Sequence, residues 1–332
     1  MWPFATPINL IRYLIVWRNQ ASLIRLPPVL SVAISDTLGT MIAERLDAYQ
    51  AKPWQKALVK TIELRNQEQF PDSPWPIQAS ILAYPGNRTV GQGEPIIWEL
   101  KLFGADADHG FFLEVILPAL EAASTTSDPR WKSAYSPWGN VAIDSVYVGF
   151  GQRWEPLVQN GRLDLPMTVS PTQWIDGQNK IIEPAHPFRQ ITWIMPFDLG
   201  KMPDRPDDSE RPREADSIPR VYVPTVQGIL LAMLLRATTA LPDPKLVPKD
   251  VWQMLAPTEQ SMIREALMRQ ENDTQRERQM LQRAHRGWPG QWTGRQLLAR
   301  PLAPALLAYL NLAAILHIGR YNHYGCGTFR LR

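Results

Sequence analysis

The order of predicted strands and helices constrains this chain most, because the same order occurs in both halves. In the first half, a strand, a helix, two strands, a helix and a strand are predicted at 8–17, 29–49, 77–84, 94–103, 111–123 and 140–151. Pro118 lies inside the second helix and is expected to kink it. The first half therefore predicts one β-α-β-β-α-β unit.

The second half repeats this order with weaker strand signals. A strand at 189–199, a helix at 223–241, a polar helical stretch at 257–285, an apolar helix at 303–318 and a strand at 327–332 are predicted. Strands are poorly marked between Ala240 and Ala303. The predicted fold class is α+β: two tandem ferredoxin-like (RRM-like) β-α-β-β-α-β domains and a C-terminal glycine-rich loop, a topology that RNA-recognition modules also use.

The length of 332 residues suits two domains of ordinary size. We predict an N-terminal domain at 1–155, an interdomain connection at 156–187 and a C-terminal domain at 188–332. Within the last, 200–220 is rich in proline and charge and is expected to be a mobile loop. The glycine-rich loop is assigned to 317–327.

Composition limits the compartment and the partners. An apolar fraction of 45% supports a folded core, and a single cysteine excludes an internal disulfide. The N-terminus has no basic region or cleavage site typical of a signal peptide. The apolar run 302–318 contains a proline and an asparagine and is interpreted as a buried helix, not a membrane span. A cytoplasmic protein with no membrane partner is predicted.

Positive charge is concentrated at the C-terminus, although the net charge is only +3. From 278 to 332 there is no Asp or Glu, and the eight arginines are 278, 283, 286, 295, 300, 320, 330 and 332. Arginine binds phosphate through two parallel hydrogen bonds and stacks on bases. A solvated basic face is the alternative. The missing counter-charges and the interleaved aromatic residues favour a nucleic-acid surface.

The last residues, HIGRYNHYGCGTFRLR, place three glycines around basic and aromatic groups: Gly319, Gly325 and Gly327. Glycines allow a sharp turn or a close approach of the backbone to another group. Because glycine has no side chain, its backbone amide can approach a phosphate closely. The loop is therefore predicted to approach RNA, with Arg320 on phosphate.

Metal and cofactor motifs are not found in the sequence. The best pair of metal ligands is His323 with Cys326, and two ligands at that spacing fall short of a structural zinc site. Neither the glycine pattern of dinucleotide-binding folds nor that of P-loops occurs. No metal and no cofactor are predicted.

Several blocks of the sequence resemble one family. GEPIIWELKLFGADADHGFFLEVILPALEAA followed by VYVGFG, and ITWIMPFDLG with Met195 in place of threonine, match its recurrent patterns. In QWTGRQLL, Gln291 differs from the family's sequence pattern, whereas Thr293, Arg295 and Gln296 match it. The terminal block LAAILHIGRYNHYGCGTFRL is similar to the family's glycine-rich loop. Over about 75–332 the chain resembles the CRISPR-associated endoribonucleases of the RAMP superfamily that cut repeat RNA.

The resemblance implies a metal-independent endoribonuclease that binds the hairpin of a CRISPR repeat and cuts precursor crRNA. The 2′-hydroxyl beside the scissile phosphate would attack it, giving a 2′,3′-cyclic phosphate and a 5′-hydroxyl. The enzyme would then remain on the crRNA, and other subunits of a CRISPR effector complex would be its partners.

Proton transfer in such a reaction needs a base and an acid. His323 is predicted as the proton-transfer group, with Tyr321 orienting the ribose and His317 as a second acid or base; a histidine that only bonds backbone is the alternative for His317. The predicted RNA contacts are Arg320, Asn322, Gly319, Gly325, Gly327, Arg283, Arg286 and Arg295. Cys326 is interpreted as a small packed residue.

The chain departs from many members of the family because no histidine precedes His109. His109 is interpreted as part of a solvated turn, His186 as part of the interdomain connection, and His285 as a phosphate contact or a solvated side chain. One alternative is therefore a RAMP-type subunit that binds crRNA without cutting it. A second is an unrelated RNA- or DNA-binding module, and a small-molecule enzyme is the weakest alternative.

Overall fold

The computed structural model describes residues 7–84, 86, 88–131, 136–159, 161–176, 187–200, 223–241, 243, 245–271 and 279–332. Contacts divide the described chain into two compact units. The N-terminal unit contains the described residues up to 176, those between 238 and 246, and 323–325. The C-terminal unit contains those from 187 to 237, from 247 to 322 and from 326 to 332.

The strands of the N-terminal unit are β1 (Leu10–Asn19), β2 (Leu23–Arg25), β3 (Ala79–Ala83), β4 (Thr89–Gly91), β5 (Pro95–Phe103), β6 (Val141–Phe150), β7 (Arg153–Gln159) and β8 (Arg162–Leu163). Six of them form an antiparallel sheet in the order β3-β5-β1-β6-β7-β8, and β2 pairs with β4. The four strands predicted for this unit are β1, β3, β5 and β6. The first and third of them, β1 and β5, are central in the sheet, and the second and fourth, β3 and β6, flank this pair.

The helices between these strands are α1 (Leu30–Arg45), α2 (Ala48–Asn66), α3 (His109–Phe111) and α4 (Leu117–Thr125). A π-helical turn, Phe112–Ile116, joins α3 to α4, whose second residue is Pro118. Alternate residues of β1 are buried in the core with α1 and α4: Tyr13, Ile15 and Trp17. This period of two is what an apolar strand needs to cover one face of a sheet.

The strands of the C-terminal unit are β9 (Gln190–Phe197), β10 (Gln279–Arg283), β11 (Trp292–Leu297) and β12 (Phe329–Leu331). They form an antiparallel sheet in the order β10-β11-β9-β12. The first and third strands are again central and the second and fourth flank them. Both units therefore have the same order of strands, and the predicted α+β class is confirmed.

The helices of the C-terminal half are α5 (Val226–Ala240), α6 (Pro248–Gln253), α7 (Pro257–Glu271) and α8 (Pro304–Leu316). The apolar helix α8 is mostly buried, as the sequence predicts. None of the helices in the described part of the chain has the length and hydrophobicity that crossing a membrane requires.

Four predicted features are wrong. Residues 156–159 and 162–163, assigned to the interdomain connection, form part of β7 and β8, because these strands extend the first sheet beyond β6. The stretch 279–283, predicted as helical, is the edge strand β10. The sequence predicts one helix at 29–49, whereas the chain forms α1 and a second helix, α2. Asp47 accepts hydrogen bonds from the amides of Tyr49 and Gln50 and so caps the start of α2. Residues 323–325 pack in the N-terminal unit, not the C-terminal one.

Two other predictions concern residues that the structure does not describe. The predicted mobile loop at 200–220 lies outside the described residues except for Gly200. His186, interpreted as part of the interdomain connection, also lies outside them.

Candidate nucleic-acid interface

The arginines of the acid-free stretch lie on the surface of the C-terminal unit. All those in the described residues are exposed: Arg283, Arg286, Arg295, Arg300, Arg320, Arg330 and Arg332. Burial of a guanidinium without compensation is costly, so exposure alone is ordinary for arginine. These arginines are favoured as a nucleic-acid interface because the same stretch of sequence contains no Asp or Glu.

One face of the C-terminal sheet presents two of these arginines. Arg295 on β11 and Arg330 on β12 are both paired with Thr192 of β9, and Met280 of β10 is paired with Arg295. Residues directly opposite each other in a sheet point to the same face. A row of Met280, Arg295, Thr192 and Arg330 therefore crosses all four strands. An open sheet face with cations across it suits an extended anionic chain.

A second group of cations lies at one end of this sheet. The loop between β10 and β11 is closed by a hydrogen bond from the amide of Ala284 to the carbonyl of Gln291 and carries His285 and Arg286, both exposed. At the same end, the amide of Arg320 donates to the carbonyl of Asp198, at 2.7 Å. The amide of Gln291 donates to Phe197, one residue before Asp198. Both loops are therefore anchored where β9 ends.

Asp198 is an acid that the linear sequence places far from the arginines. Its carboxylate is 3.8 Å from the guanidinium of Arg320 and accepts a hydrogen bond from the side chain of Gln291 at 3.2 Å. The Arg320 side chain is still 47% exposed, and its guanidinium lies 4.7 Å from the ring centre of Tyr321. Arg320 is thus partly in contact with solvent, with its charge partly offset by Asp198.

Tyr321 and Asn322 are only partly buried beside Arg320. Tyr321 has a backbone φ of +58°, a conformation that costs a residue with a β-carbon about 1–2 kcal/mol. Asn322 donates a side-chain hydrogen bond to the carbonyl of Gly319 at 3.0 Å. Residues 319–322 are the part of the predicted glycine-rich loop that reaches the surface.

Glycine is required in this loop by contacts within the protein. A β-carbon at Gly319 would lie 2.4 Å from the carbonyl oxygen of Asp198, and one at Gly327 would lie 1.8 Å from that of Ile318. Both separations are far below van der Waals contact. Packing within the protein therefore accounts for both glycines in this conformation, and their contact with RNA stays a prediction.

His323 occupies a buried socket in the N-terminal unit and is 2% exposed. Its Nε2 is 2.9 Å from the Ser35 hydroxyl on α1, and its Nδ1 is 3.0 Å from the carbonyl of Ala79 on β3. Trp75 packs edge-on against the ring, with 4.9 Å between ring centres. Because a carbonyl only accepts, Nδ1 donates to Ala79, and in the neutral ring Nε2 then accepts from Ser35.

This socket contradicts the predicted accessibility of His323. Both ring nitrogens are engaged with the protein, so neither is open to the 2′-hydroxyl of a substrate in this conformation. Gly325, a predicted RNA contact, is also buried, and a β-carbon there would lie 2.9 Å from the carbonyl oxygen of Ile81. His323 and Gly325 are packing residues in this structure.

His317 follows the last residue of α8 and is fully buried, with a backbone φ of +58°. Arg236 supplies a positive charge at the C-terminal end of α8, where its Nε donates a hydrogen bond to the carbonyl of Leu316 at 3.0 Å. Burial lowers the pKa of Arg236 to about 10. The predicted position at a helix end is confirmed, but the ring is not at the surface where an acid or base would meet RNA.

Cys326 is also fully buried, and its Sγ lies 3.3 Å from the carbonyl of Pro289. Burial, and then the nearby Asp198, raises the pKa of the thiol. Within the described residues, no three His, Cys, Asp or Glu side chains come together as possible metal ligands.

His109 is not in a solvated turn, as the sequence suggested. It is the first residue of α3, half-buried, and its Nδ1 is 2.9 Å from the hydroxyl of Tyr13, which is fully buried on β1. A signal for this pair was present in the sequence. Tyr13 lies within the apolar strand LIRYLIVW, and a tyrosine hydroxyl in a core needs a polar partner.

No protein-family model matches the chain, and no curated protein matches it significantly. One solved structure, described as a Cas6 product complex, aligns with 98% of this chain and 100% of its own chain. The two share 16% sequence identity at a TM-score of 0.44. The likeness is distant.

Proposed function

We propose that the chain is a metal-independent endoribonuclease that binds the hairpin of a CRISPR repeat and cuts precursor crRNA. The 2′-oxygen attacks the adjacent phosphorus while the bond from phosphorus to the 5′-oxygen breaks. The products are a 2′,3′-cyclic phosphate and a 5′-hydroxyl. The protein then stays on the mature guide, in the cytoplasm, with other subunits of a CRISPR effector complex as partners.

We also propose that the two units are tandem ferredoxin-like domains. Each has its first and third strands in the centre of an antiparallel sheet and its second and fourth beside them. That is the order expected when two β-α-β halves pack on one sheet. The sequence blocks that resemble repeat-cutting endoribonucleases fall on strands of both units, on the helices α3, α4 and α8, and on the terminal loop.

The exposed arginines carry this proposal most directly. Every described arginine of the acid-free stretch lies on the surface of the C-terminal unit, and Arg295 and Arg330 lie on one sheet face. Guanidinium groups bind phosphates bidentately and stack on bases, so an arginine-only surface suits RNA held by its backbone and shape.

In this proposal Arg283, Arg286, Arg295 and Arg320 contact RNA phosphates. Tyr321, beside Arg320, contacts a ribose. Gly319, Gly325 and Gly327 act by packing the loop that presents Arg320, Tyr321 and Asn322. The proposed site does not include His317 or His323, because both rings are buried.

A crRNA-binding subunit that does not cut is the second candidate. The burial of His317 and His323 favours it, since both were the imidazoles predicted to transfer protons. It shares the RNA surface with the first candidate and differs only in the reaction. A cleavage assay therefore separates the two.

Binding is tested by substituting the arginines singly with glutamine and measuring affinity for a repeat hairpin as a function of salt. Each loss of a phosphate contact should reduce the slope of log K against log salt by about one unit. Arg320→Gln should have a smaller effect than Arg295→Gln, because Asp198 already offsets its charge. Arg269→Gln, on α7 and paired with Glu265, is the matched control. Equal slopes in every variant would refute the arginine surface.

Cleavage is tested with a repeat RNA in excess chelator under single-turnover conditions. We expect the cyclic phosphate and the 5′-hydroxyl as ends. A 2′-deoxy substitution before the scissile phosphate should abolish cutting and leave binding intact. A requirement for a divalent cation, or a 5′-phosphate product, would contradict the proposed reaction. Tight binding without cutting would establish the second candidate.

A further inference from the structure

The ring of His109 lies beside two buried aromatic rings, those of Tyr13 and Phe112. Its ring is held by the Tyr13 hydroxyl and lies nearly parallel to the Tyr13 ring, with an angle of 12° between them. Tyr13 in turn stacks on Phe112, with ring centres 3.6 Å apart. The imidazole is therefore held against a buried aromatic stack, although His109 itself is only half-buried.

The hydrogen bond from Tyr13 determines where the proton of His109 lies. The Tyr13 hydroxyl is buried and makes no other hydrogen bond among the described residues. Burial, followed by the charge of Asp108, raises the pKa of Tyr13, so the hydroxyl stays protonated. A buried hydroxyl without an acceptor is costly, so it donates to Nδ1. The neutral ring then carries its hydrogen on Nε2.

Neutrality of the ring follows from its surroundings. Burial lowers the pKa of His109, and the opposing attraction of Asp108 is smaller. The Asp108 carboxylate is occupied in part by the amide of Gly110, at 2.8 Å. The second acid on this turn, Asp106, accepts a hydrogen bond from the amide of Gln78, also at 2.8 Å. At neutral pH His109 is therefore an uncharged donor.

The remaining histidines lack this combination. His323 has both nitrogens bonded to protein, and His317 is fully buried. His285 is exposed on the loop between β10 and β11, with no described group that orients its ring. Only His109, among the described histidines, combines a fixed ring, partial exposure and an Nε2 with no partner in the described residues.

We propose that Nε2–H of His109 donates a hydrogen bond to a non-bridging oxygen of the scissile phosphate. This rests on the proposed ribonuclease function. As the 2′-oxygen bonds to phosphorus and the 5′-oxygen leaves with its electron pair, negative charge grows on the phosphoryl oxygens. A fixed neutral donor stabilises that charge and keeps its own proton. The 2′-hydroxyl proton passes to solvent, and the leaving 5′-oxygen takes a proton from solvent.

Two substitutions of His109 distinguish this role from proton transfer. His109→Ala should slow single-turnover cleavage of a repeat RNA by ~10²–10³ and change RNA affinity far less. His109→Gln places an amide N–H near the position of Nε2, so it should recover at least about tenfold of that loss. A proton-transfer group could not be replaced by glutamine, which does not titrate.

Two tyrosine variants test the positioning by Tyr13. Tyr13→Phe keeps the aromatic stack but frees Nδ1, so cleavage should slow, by less than the ~10²–10³ expected for loss of the donor itself. The control is Tyr309→Phe, which also removes a buried hydroxyl bonded to a titratable partner, Glu259, and should cut at the wild-type rate.

The outcomes are separable from those of the proposed function. If the wild type does not cut repeat RNA, both proposals fail. If the wild type cuts and His109→Ala cuts equally fast, only the assignment of His109 is refuted. If His109→Gln is as slow as His109→Ala while its thermal unfolding is unchanged, His109 transfers protons and the donor role is wrong.

Discussion

His323 and His109 lie in the same unit and differ in what their nitrogens contact. His323 is held between Ser35 and Ala79, and its ring is almost completely excluded from solvent. His109 has one nitrogen on the buried Tyr13 hydroxyl, while its side chain stays partly exposed. The first arrangement leaves no donor or acceptor for a ligand, and the second leaves one.

The difference shows what decides whether a histidine can act on a substrate. Both residues lie in glycine-containing segments, GADADHGF and RYNHYGCG, and the sequence context alone ranks His323 higher because its loop is basic and aromatic. Burial and the number of nitrogens already bonded reverse that order. A polar side chain that is fully bonded inside the protein stabilises the fold and is unavailable for chemistry.

The largest effect is expected for His323→Ala. The substitution leaves the Ser35 hydroxyl and the Ala79 carbonyl without a partner and opens a cavity beside Trp75. Unpaired buried groups cost about 1–3 kcal/mol each, so the free energy of unfolding should fall by about 3–5 kcal/mol. Urea denaturation measures this. His285→Ala, exposed, should change it by less than about 0.5 kcal/mol. Equal stability of the two variants would show that the socket does not hold His323.

A smaller effect on stability is expected when glycines with a left-handed backbone are replaced by alanine, and it depends on whether the new β-carbon meets backbone atoms. Gly327 and Gly287 have φ values of +76° and +81°, but only Gly327 would bring a β-carbon against backbone. Gly287→Ala should cost about 1–2 kcal/mol, the strain of that conformation. Gly327→Ala should cost at least about 2 kcal/mol more, because the chain must move. Thermal unfolding of both variants measures the difference, and equal losses would place Gly327 in open space.

Much of the fold could be predicted because its strands are strongly apolar. The strands β1, β5 and β9 are found where their patterns predict them. The strand β10 was missed because QMLQR is an edge strand with little apolar alternation. The segment is a strand because it pairs with the neighbouring strand β11, which its own sequence does not indicate.

The site was less predictable, since its members come from distant parts of the chain. Ser35 and Ala79, which engage His323, are separated from it by 288 and 244 residues. Asp198, which lies beside Arg320, directly follows the end of β9. The basic surface could be predicted because the arginines share one acid-free segment, whereas burial of the glycine-rich loop depends on contacts that spacing cannot reveal.

The smallest effect concerns pH and His109. Because burial lowers the folded-state pKa of His109 below its ordinary value of about 6.5, the unfolded chain binds the proton more readily. The contribution of His109 to stability is therefore present above pH ~6.5 and is lost as pH falls through the folded-state pKa. Acidification from neutral pH should destabilise the wild type more than His109→Gln. Parallel stability curves for the two proteins would contradict a lowered pKa.

Nitrogen-15 NMR of the histidine side chains tests most directly whether His109, and not His323, faces bound RNA. The spectra are recorded before and after addition of a repeat RNA that carries a 2′-deoxy group at the cleavage position and so cannot be cut. We predict the Nε2–H tautomer for free His109, a shift of its Nε2–H resonances on binding, and unchanged His323 resonances. A shift of the His323 resonances with no change at His109 would contradict the account.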